Sequence, residues 1–156
     1  MAPENKHDEF PGYRIYQTHR ALFRCIEEVL SPFGLTPGQW NALNQLESRG
    51  ALSQKQLALS LQREQATITR SIDRMEKRGL VVRTADPSDR RSNLITITDE
   101  ARDLLKVIEP LAENASGETL KGFSKEELQT LYHLLEKLKN NANEAGDNAR
   151  KGASRL

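Results

Sequence analysis

Apolar positions along the chain recur mostly with the period of amphipathic helices. Between residues 13 and 30, Ile15, Leu22 and Val29 lie seven residues apart, and a second apolar row follows one position later. Residues with this spacing fall on one side of a helix, and two neighbouring rows make that apolar face wide. The pattern predicts a long first helix that packs against partners on two sides.

Start and stop signals predict three more helices in the next segment. Thr36 and the proline after it are typical of a helix start, and Ser53 with Gln56 forms a capping box. The third of these helices follows a short connection and ends at Gly79, because glycine readily adopts the left-handed conformation. Two helices joined so closely indicate a helix-turn-helix.

Two runs of β-forming residues follow, at 80–84 and 93–97, and the segment 85–92 between them is polar and rich in turn-forming residues. The first run carries Val81 and Val82, and the second alternates from Leu94 to Ile97, so the two runs with the turn between them predict an antiparallel hairpin. A helix-turn-helix followed by a hairpin is a winged helix.

The C-terminal part of the sequence predicts two further helices. Thr98 caps the first, which Pro110 should bend, and Ser124 with Glu127 forms a capping box that opens the second. Leucines spaced by three and four residues give the second helix a short coiled-coil seam. These leucines are Leu128, Leu131, Leu135 and Leu138.

The predicted fold is mainly α with a small β-hairpin wing. Residues 35–98 form a winged helix-turn-helix domain, 10–34 and 99–145 form a helical dimerisation region, and 146–156 form a mobile tail with little to bury. The apolar surface of the first and last helices is too large for a 156-residue monomer to hide, so we expect a homodimer. An intrachain pair of these helices is the alternative.

Composition excludes several classes of protein. The first twenty residues contain no apolar signal-peptide core, and no run approaches the roughly 18 apolar residues of a membrane span. We expect a cytoplasmic protein that does not insert in a membrane. The single Cys25, the scattered His7, His19 and His133, and the absence of catalytic motifs predict no metal, no cofactor and no enzymatic activity.

Charge is distributed unevenly along the chain. The formal net charge is only +1, but residues 54–91 contain nine Lys or Arg and five Asp or Glu, a net +4. A basic middle between acidic flanks is typical of a polyanion-binding surface, and equally of an ordinary solvated surface. The spacing of the basic residues must decide between them.

The helix that ends before Gly79 has the profile of a DNA-recognition helix. Ile68, Ile72 and Met75 form its buried stripe, and the opposite face is small at its start and cationic beyond. Such a face enters a major groove, where Arg70 could pair with a guanine and Gln65 with an adenine. The predicted DNA contacts of this helix are Gln65, Ala66, Thr67, Thr69, Arg70, Arg74 and Lys77. An ordinary amphipathic helix is the alternative.

The hairpin tip adds a second predicted DNA contact. Arg90 and Arg91 lie where the chain turns, and a guanidinium on a narrow loop can enter a minor groove. Asp86 and Asp89 are predicted to stiffen this turn. Asp73 would repel phosphate, so we expect it to brace the helix by pairing with Arg74, Arg78 or Arg83. A solvated turn with two idle arginines is the alternative.

Several motifs resemble those of the MarR family of winged-helix transcriptional regulators. They are Leu57-Ala58, the run from Thr67 to Arg83, Asp86-Pro-Ser-Asp-Arg-Arg-Ser92, and the run from Leu94 to Ala101. The resemblance implies a homodimer with interlocked first, fifth and sixth helices, bound to a pseudo-palindromic operator in double-stranded DNA. It also implies that Arg91 is the wing contact, with Arg90 beside it. The sequence departs from the family at Glu64, where a Ser, Thr or Asp cap is common.

The resemblance further implies control by a small molecule, because members of the family often bind small aromatic or phenolic anions. His19, Arg20, Arg24 and Trp40 are the candidate pocket residues, with a core tryptophan and surface charges as the alternative. Redox sensing through Cys25 is a second possibility, although its apolar phase is typical of an inert cysteine.

The resulting prediction is a sequence-specific regulator of transcription, and specifically a repressor. A winged-helix protein-interaction module that does not bind DNA is the alternative from another class.

Overall fold

The structure is a computed structural model that describes residues 10–153, with side chains up to residue 151. The described part contains six α-helices and three β-strands. The helices are α1 (Pro11–Leu30), α2 (Pro37–Arg49), α3 (Gln54–Ser60), α4 (Gln65–Lys77), α5 (Asp99–Thr119) and α6 (Lys125–Ala153). The strands are β1 (Leu52–Ser53), β2 (Val81–Asp86) and β3 (Asp89–Ile97). The fold is therefore mainly α with a small sheet, as predicted.

The predicted helix boundaries are confirmed by their hydrogen bonds. At the start of α2, Thr36 Oγ1 accepts from the Gln39 backbone at 3.2 Å, and Gln39 Oε1 accepts from the Thr36 backbone at 3.0 Å. The same reciprocal box opens α3 and α6. Each box satisfies backbone groups that would otherwise lack partners at the helix start.

The end of α4 is held by a Schellman motif. Gly79 has a φ of +71°. Its N–H donates to Glu76 O at 2.9 Å, and the Leu80 N–H donates to Met75 O at 2.9 Å. The left-handed residue lets two consecutive N–H groups turn back onto the last carbonyls of the helix. Glycine at this position therefore ends α4 sharply and starts the hairpin.

The three strands form one antiparallel sheet in the order β1-β3-β2. The hairpin register pairs Val81 with Ile97 and Thr84 with Leu94. The strands are longer than the sequence predicted, and a register shift at 85–86 lets the pairing continue to Asp86 and Asp89. The placement of Arg90 and Arg91 in the turn was therefore wrong, because both lie on β3 and only Pro87 and Ser88 form the tip.

A single hydrophobic core joins the helices to the sheet. It contains residues from α1 to α5 and from β2 and β3. The largest fully buried side chains are Leu30, Leu43, Leu46, Leu57, Ile72, Met75, Val81, Ile95 and Ile108. Leu30 is the only buried residue of α1, so most of the wide apolar face of that helix stays outside this core.

The chain divides into two compact units, one up to Thr119 and one from Leu120 onwards. In the second unit, α6 continues to Ala153, past residue 145, where the helical region was predicted to end. The segment contains no proline, and each of its two glycines, Gly146 and Gly152, costs only about 1 kcal/mol of helix propensity. Residues 154–156 of the predicted tail lie outside the described residues. The assignment of 10–34 and 99–145 to dimerisation stays a prediction.

Within the described residues, no helix is both long enough and apolar enough to cross a membrane.

Two leucines of α3 provide a matched test of this core. Leu57 is 0% exposed and Leu59 is 70% exposed. Leu57→Ala should lower the free energy of unfolding by about 2–5 kcal/mol, because it removes packed methyl groups and leaves a cavity. Leu59→Ala should change it by less than about 0.5 kcal/mol. Urea denaturation at one fixed protein concentration measures both, and equal effects would contradict the described packing of α3.

Candidate nucleic-acid interface

The helix α4 presents one apolar side to the core and one polar side to solvent. Ile68, Ile72 and Met75 are buried, as their spacing predicted. The exposed residues of the polar side are Gln65, Ala66, Thr67, Arg70, Arg74 and Lys77, together with the acidic Asp73 at its edge. Short side chains thus lie near the start of the helix and cationic side chains lie further along it.

Thr69 differs from the other predicted contacts on α4. It is half-buried, and its hydroxyl accepts from Gln54 Nε2 at 2.9 Å and donates to Gln65 O at 2.9 Å. These bonds connect the start of α3 to α4 and occupy the hydroxyl group. The structure therefore gives Thr69 a role between the two helices of the helix-turn-helix.

Arg83 of β2 connects the hairpin to α4. Its guanidinium donates to Asp73 and to Glu76, which lie three residues apart on one side of the helix. Partial burial alone would lower the pKa of Arg83, but the hydrogen bond to Asp73 and the charge of Glu76 outweigh it, so the pKa lies above its ordinary value. Sequence reasoning named Arg83 among three possible partners of Asp73 but missed Glu76.

Arg78, the C-cap residue of α4, connects the C-terminal end of this helix to the corner between α1 and α2. Its guanidinium donates to Phe33 O at 2.8 Å and also to Gly34 O. Gly34 has a φ of +63°, and a Cβ there would lie 3.4 Å from Arg78 Nη1. Sequence reasoning missed this contact because it spans more than forty residues and no local signal marks it.

The hairpin tip is shaped by two aspartates. Asp86 Oδ1 accepts from the Ser88 hydroxyl at 2.6 Å and from the Ser88 backbone at 2.8 Å, and Asp89 Oδ1 accepts from the Arg91 backbone at 3.0 Å. The bonds from Ser88 hold the pKa of Asp86 below its ordinary value. Arg90 and Arg91 are both exposed and form no ion pair within the described residues.

A groove of about 430 Å³ lies along one side of α4, between that helix and the start of α2. We call it the cationic groove, because its charged lining residues are Arg63, Arg70 and Arg74. No Asp or Glu lines it within residues 10–151. This flank of α4 is thus suited to an anionic partner.

A second groove, of about 420 Å³, lies between α1, α2 and α5. We call it the aromatic groove, because Phe23 and Trp40 line it together with His19. The predicted pocket residues Arg20 and Arg24 do not line it, whereas Arg63 does. Arg20 instead lies 5.9 Å from the centroid of the Tyr16 ring. Positions on α1 that are adjacent in sequence point in different directions, which explains the difference.

Cys25 is half-buried and lines the aromatic groove. Within the described residues, no group of three or more His, Cys, Asp and Glu side chains could hold a metal ion. His7 lies outside the described residues.

Comparison with known proteins gives one consistent picture. A sequence model of the MarR family matches residues 35–92. The chain is 32% identical to a probable transcriptional regulator from Pseudomonas aeruginosa, with a TM-score of 0.77 over 84% of this chain and 98% of the other. It also resembles the repressor CouR of Rhodococcus jostii bound to a 23-mer DNA duplex, with a TM-score of 0.82, 25% identity and coverage of 89% and 99%.

A third similar structure is that of a protein regulated by a small molecule. Bordetella bronchiseptica BpsR, whose DNA binding is regulated by 6-hydroxynicotinic acid, matches with a TM-score of 0.78 and 27% identity, over 84% of this chain and 94% of the other.

The Asp86 contact gives a testable pH dependence. The pKa of Asp86 is lower in the folded chain than in the unfolded chain. The contact therefore stabilises the tip fully at a pH above the ordinary pKa of an aspartate, and this stabilisation is lost as the pH falls through the lowered pKa. Ser88→Ala should move the pKa of Asp86 back towards its ordinary value, since it removes one donor. Ser88→Thr keeps the donor and should not. Carboxyl-detected NMR titration measures both, and an unchanged pKa in the alanine variant would contradict the geometry of the tip.

Proposed function

The chain belongs to the MarR family, and we propose that it is a transcriptional repressor that binds double-stranded DNA sequence-specifically as a homodimer. MarR-family members are regulators of transcription and not enzymes. The observation that carries the proposal is the exposed cationic face of α4, with a hairpin attached to the same helix through Arg83. We propose a cytoplasmic location, because a protein that binds operator DNA must be in the same compartment as the genome.

We propose a role for each exposed residue that was predicted to contact DNA on α4. The major groove is about 12 Å wide and admits one helix. The small Ala66 allows close approach to base edges, and Arg70 can donate two parallel hydrogen bonds to a guanine. Thr67, Arg74 and Lys77 lie on the flanks, where phosphates run, and Gln65 can reach an adenine at the start of the helix.

The wing supplies the second contact in this proposal. Arg90 and Arg91 project from the first residues of β3, next to the two-residue tip. A narrow minor groove attracts guanidinium groups because its electrostatic potential is most negative there. The Arg83 link keeps the hairpin at a set position on α4, so that helix and wing engage adjacent grooves together.

Exposed apolar residues support the homodimer. On α1, Tyr16 is 55% and Leu22 is 48% exposed, and on α6, Leu134 is 56% and Leu135 is 43% exposed. A monomer rarely leaves so much apolar surface in water. We propose that 10–34 and 99–145 form the dimer interface and 35–98 the DNA-binding domain. Two-fold symmetry would then place the two α4 helices about 34 Å apart on a pseudo-palindromic operator.

The aromatic groove supports control by a small aromatic effector that releases the repressor from DNA. Phe23 and Trp40 supply flat apolar walls, and His19 supplies a polar group. BpsR and CouR are relatives with aromatic ligands, 6-hydroxynicotinic acid and p-coumaroyl-CoA respectively. Cys25 is half-buried on α1 and is the only cysteine of the sequence, so it has no second thiol of its own chain to pair with, and redox sensing is the weaker hypothesis.

DNA recognition is tested first by selecting bound fragments from random duplexes, which should yield an inverted repeat. Fluorescence anisotropy over a salt series should then give a steep negative slope of log K against log salt. Arg91→Ala should weaken binding to all sequences, and Arg70→Ala should also relax preference at one base position by about 1–3 kcal/mol.

The variants also separate the alternatives. A protein-interaction module without DNA binding would show little salt dependence and no selected sequence. Unchanged affinity in Arg91→Ala would contradict the wing assignment, and unchanged base preference in Arg70→Ala would contradict the assignment of the base-reading residue.

The dimer is tested by Leu135→Asp on α6. A charge buried at an apolar interface is costly, so this variant should dissociate into monomers at micromolar concentration. Leu59→Asp introduces the same charge at a leucine that is 70% exposed on α3 and should remain dimeric. Sedimentation velocity measures both. A monomeric wild-type protein would refute the dimer.

A further inference from the structure

One cationic side chain lines both the cationic groove and the aromatic groove. Arg63 is a lining residue of the cationic groove, with Arg70 and Arg74, and of the aromatic groove, with Trp40 and His19. Within the described residues, it is the only cation that the two grooves share. A ligand in either groove would therefore compete for the same guanidinium.

The position of Arg63 in the chain links it directly to α4. It lies in the turn between α3 and α4, and its backbone N–H donates to Ala58 O at 3.0 Å. The residue before it, Gln62, has a φ of +51° and is the only non-glycine residue with positive φ in the described part of the chain. A non-glycine residue in this region is strained.

The start of α4 itself is weakly held. Glu64 is the N-cap residue, and its side chain makes no capping hydrogen bond. Backbone bonds from Thr67 and Ile68 to Glu64 O close the first turn, at 3.1 and 3.2 Å, and the side-chain tie to α3 comes one turn later, at Thr69. A displacement of Arg63 would therefore pass into the residues that face the DNA.

Charge distinguishes the aromatic groove from its neighbour on the other side of α2. Within residues 10–151, no Asp or Glu lines the aromatic groove, and its cationic or titratable nitrogen groups are Arg63 and His19. The neighbouring groove, of about 490 Å³ between α2 and α5, is lined by Glu47, Glu109 and Glu113 and also by the cations Arg102 and Lys106. An anion is therefore favoured more in the aromatic groove, which has no carboxylate in its lining, than in its neighbour, where acids and bases nearly balance.

We propose that Arg63 is shared between two anions, a DNA phosphate and the carboxylate of an aromatic acid. In the DNA complex without effector, its guanidinium contacts the DNA backbone from the cationic groove. When an aromatic acid occupies the aromatic groove, its ring lies against Trp40 and Phe23. Its carboxylate then pairs with the guanidinium of Arg63 and moves this group away from the DNA phosphate. The acid thereby removes one phosphate contact and shifts the start of α4. This proposal rests on the function proposed above.

The test combines a salt series with a matched pair of effectors. The probe is 4-hydroxybenzoate, and its uncharged counterpart is 4-hydroxybenzamide. For the wild-type protein, saturating 4-hydroxybenzoate should lower the affinity for the selected duplex by about tenfold, a typical coupling between two sites. The amide should have little effect, because it cannot pair with a guanidinium.

Arg63→Gln should change both measurements. The slope of log K against log salt should become shallower by about 0.9, the contribution of one neutralised phosphate. The response to 4-hydroxybenzoate should fall below about twofold. Arg63→Lys keeps the charge but loses the bidentate geometry, so it should retain the salt slope and respond less to the acid. Circular dichroism establishes that the variants are folded.

Two further variants serve as comparisons. Arg49→Gln, at the end of α2, removes the same charge from a residue that lines neither groove and should leave both measurements unchanged. Arg20→Gln tests the partner that the sequence suggested. Loss of the acid response in Arg20→Gln but not in Arg63→Gln would overturn the proposal.

The proposal is also overturned if Arg63→Gln keeps the wild-type salt slope, if it is still released by the acid, or if the wild-type protein binds DNA but ignores 4-hydroxybenzoate. These outcomes leave the DNA-binding function intact. Failure of the wild-type protein to bind any duplex would instead overturn the function itself, and it is seen before any effector is added.

Discussion

The burial of Ile68, Ile72 and Met75 against the core orients every other side chain of α4. A helix that buries one stripe cannot rotate without exposing it, so the opposite face is set by packing in the interior and not by surface interactions. Ala66, Arg70 and Arg74 face outwards for this reason alone. Substitution of the exposed cationic residues would leave the fold intact. Substitution of the three buried residues would instead leave the cationic side chains without a defined direction.

Long-range contacts of two arginines then place α4 relative to its surroundings. Arg83 ties the hairpin to Asp73 and Glu76, and Arg78 ties the end of the helix to the corner at Gly34. The carboxylates near the guanidinium of Arg83 are partly exposed, so each pair contributes modestly to stability and weakens in salt. Their effect is geometric, because a guanidinium with two fixed acceptors has few other orientations.

Local signals in the sequence predicted most of the fold. The caps at Thr36 and Ser53, the stop at Gly79 and the buried stripe of α4 all depend on residues within one or two turns of each other. Features that depend on contacts between distant segments of the chain could not be predicted from local signals. The length of β3 follows from its register with β2, which placed Arg90 and Arg91 on a strand. The lining of the aromatic groove follows from packing between helices, which replaced Arg20 and Arg24 by Arg63.

The two ends of α4 differ in how firmly they are held. The C-terminal end has a Schellman motif and the Arg78 contact, whereas the N-terminal end has no side-chain cap and follows a residue with positive φ. A force on the helix should therefore move its start more than its end. Gln65, Ala66 and Thr67 lie at that start, and Arg63 lies immediately before it. In the proposed complex, a small displacement there would change the distance between the helix and the base edges while the core and the hairpin link stay in place. Under this proposal, an effector needs to disturb only one turn of α4 to alter DNA binding.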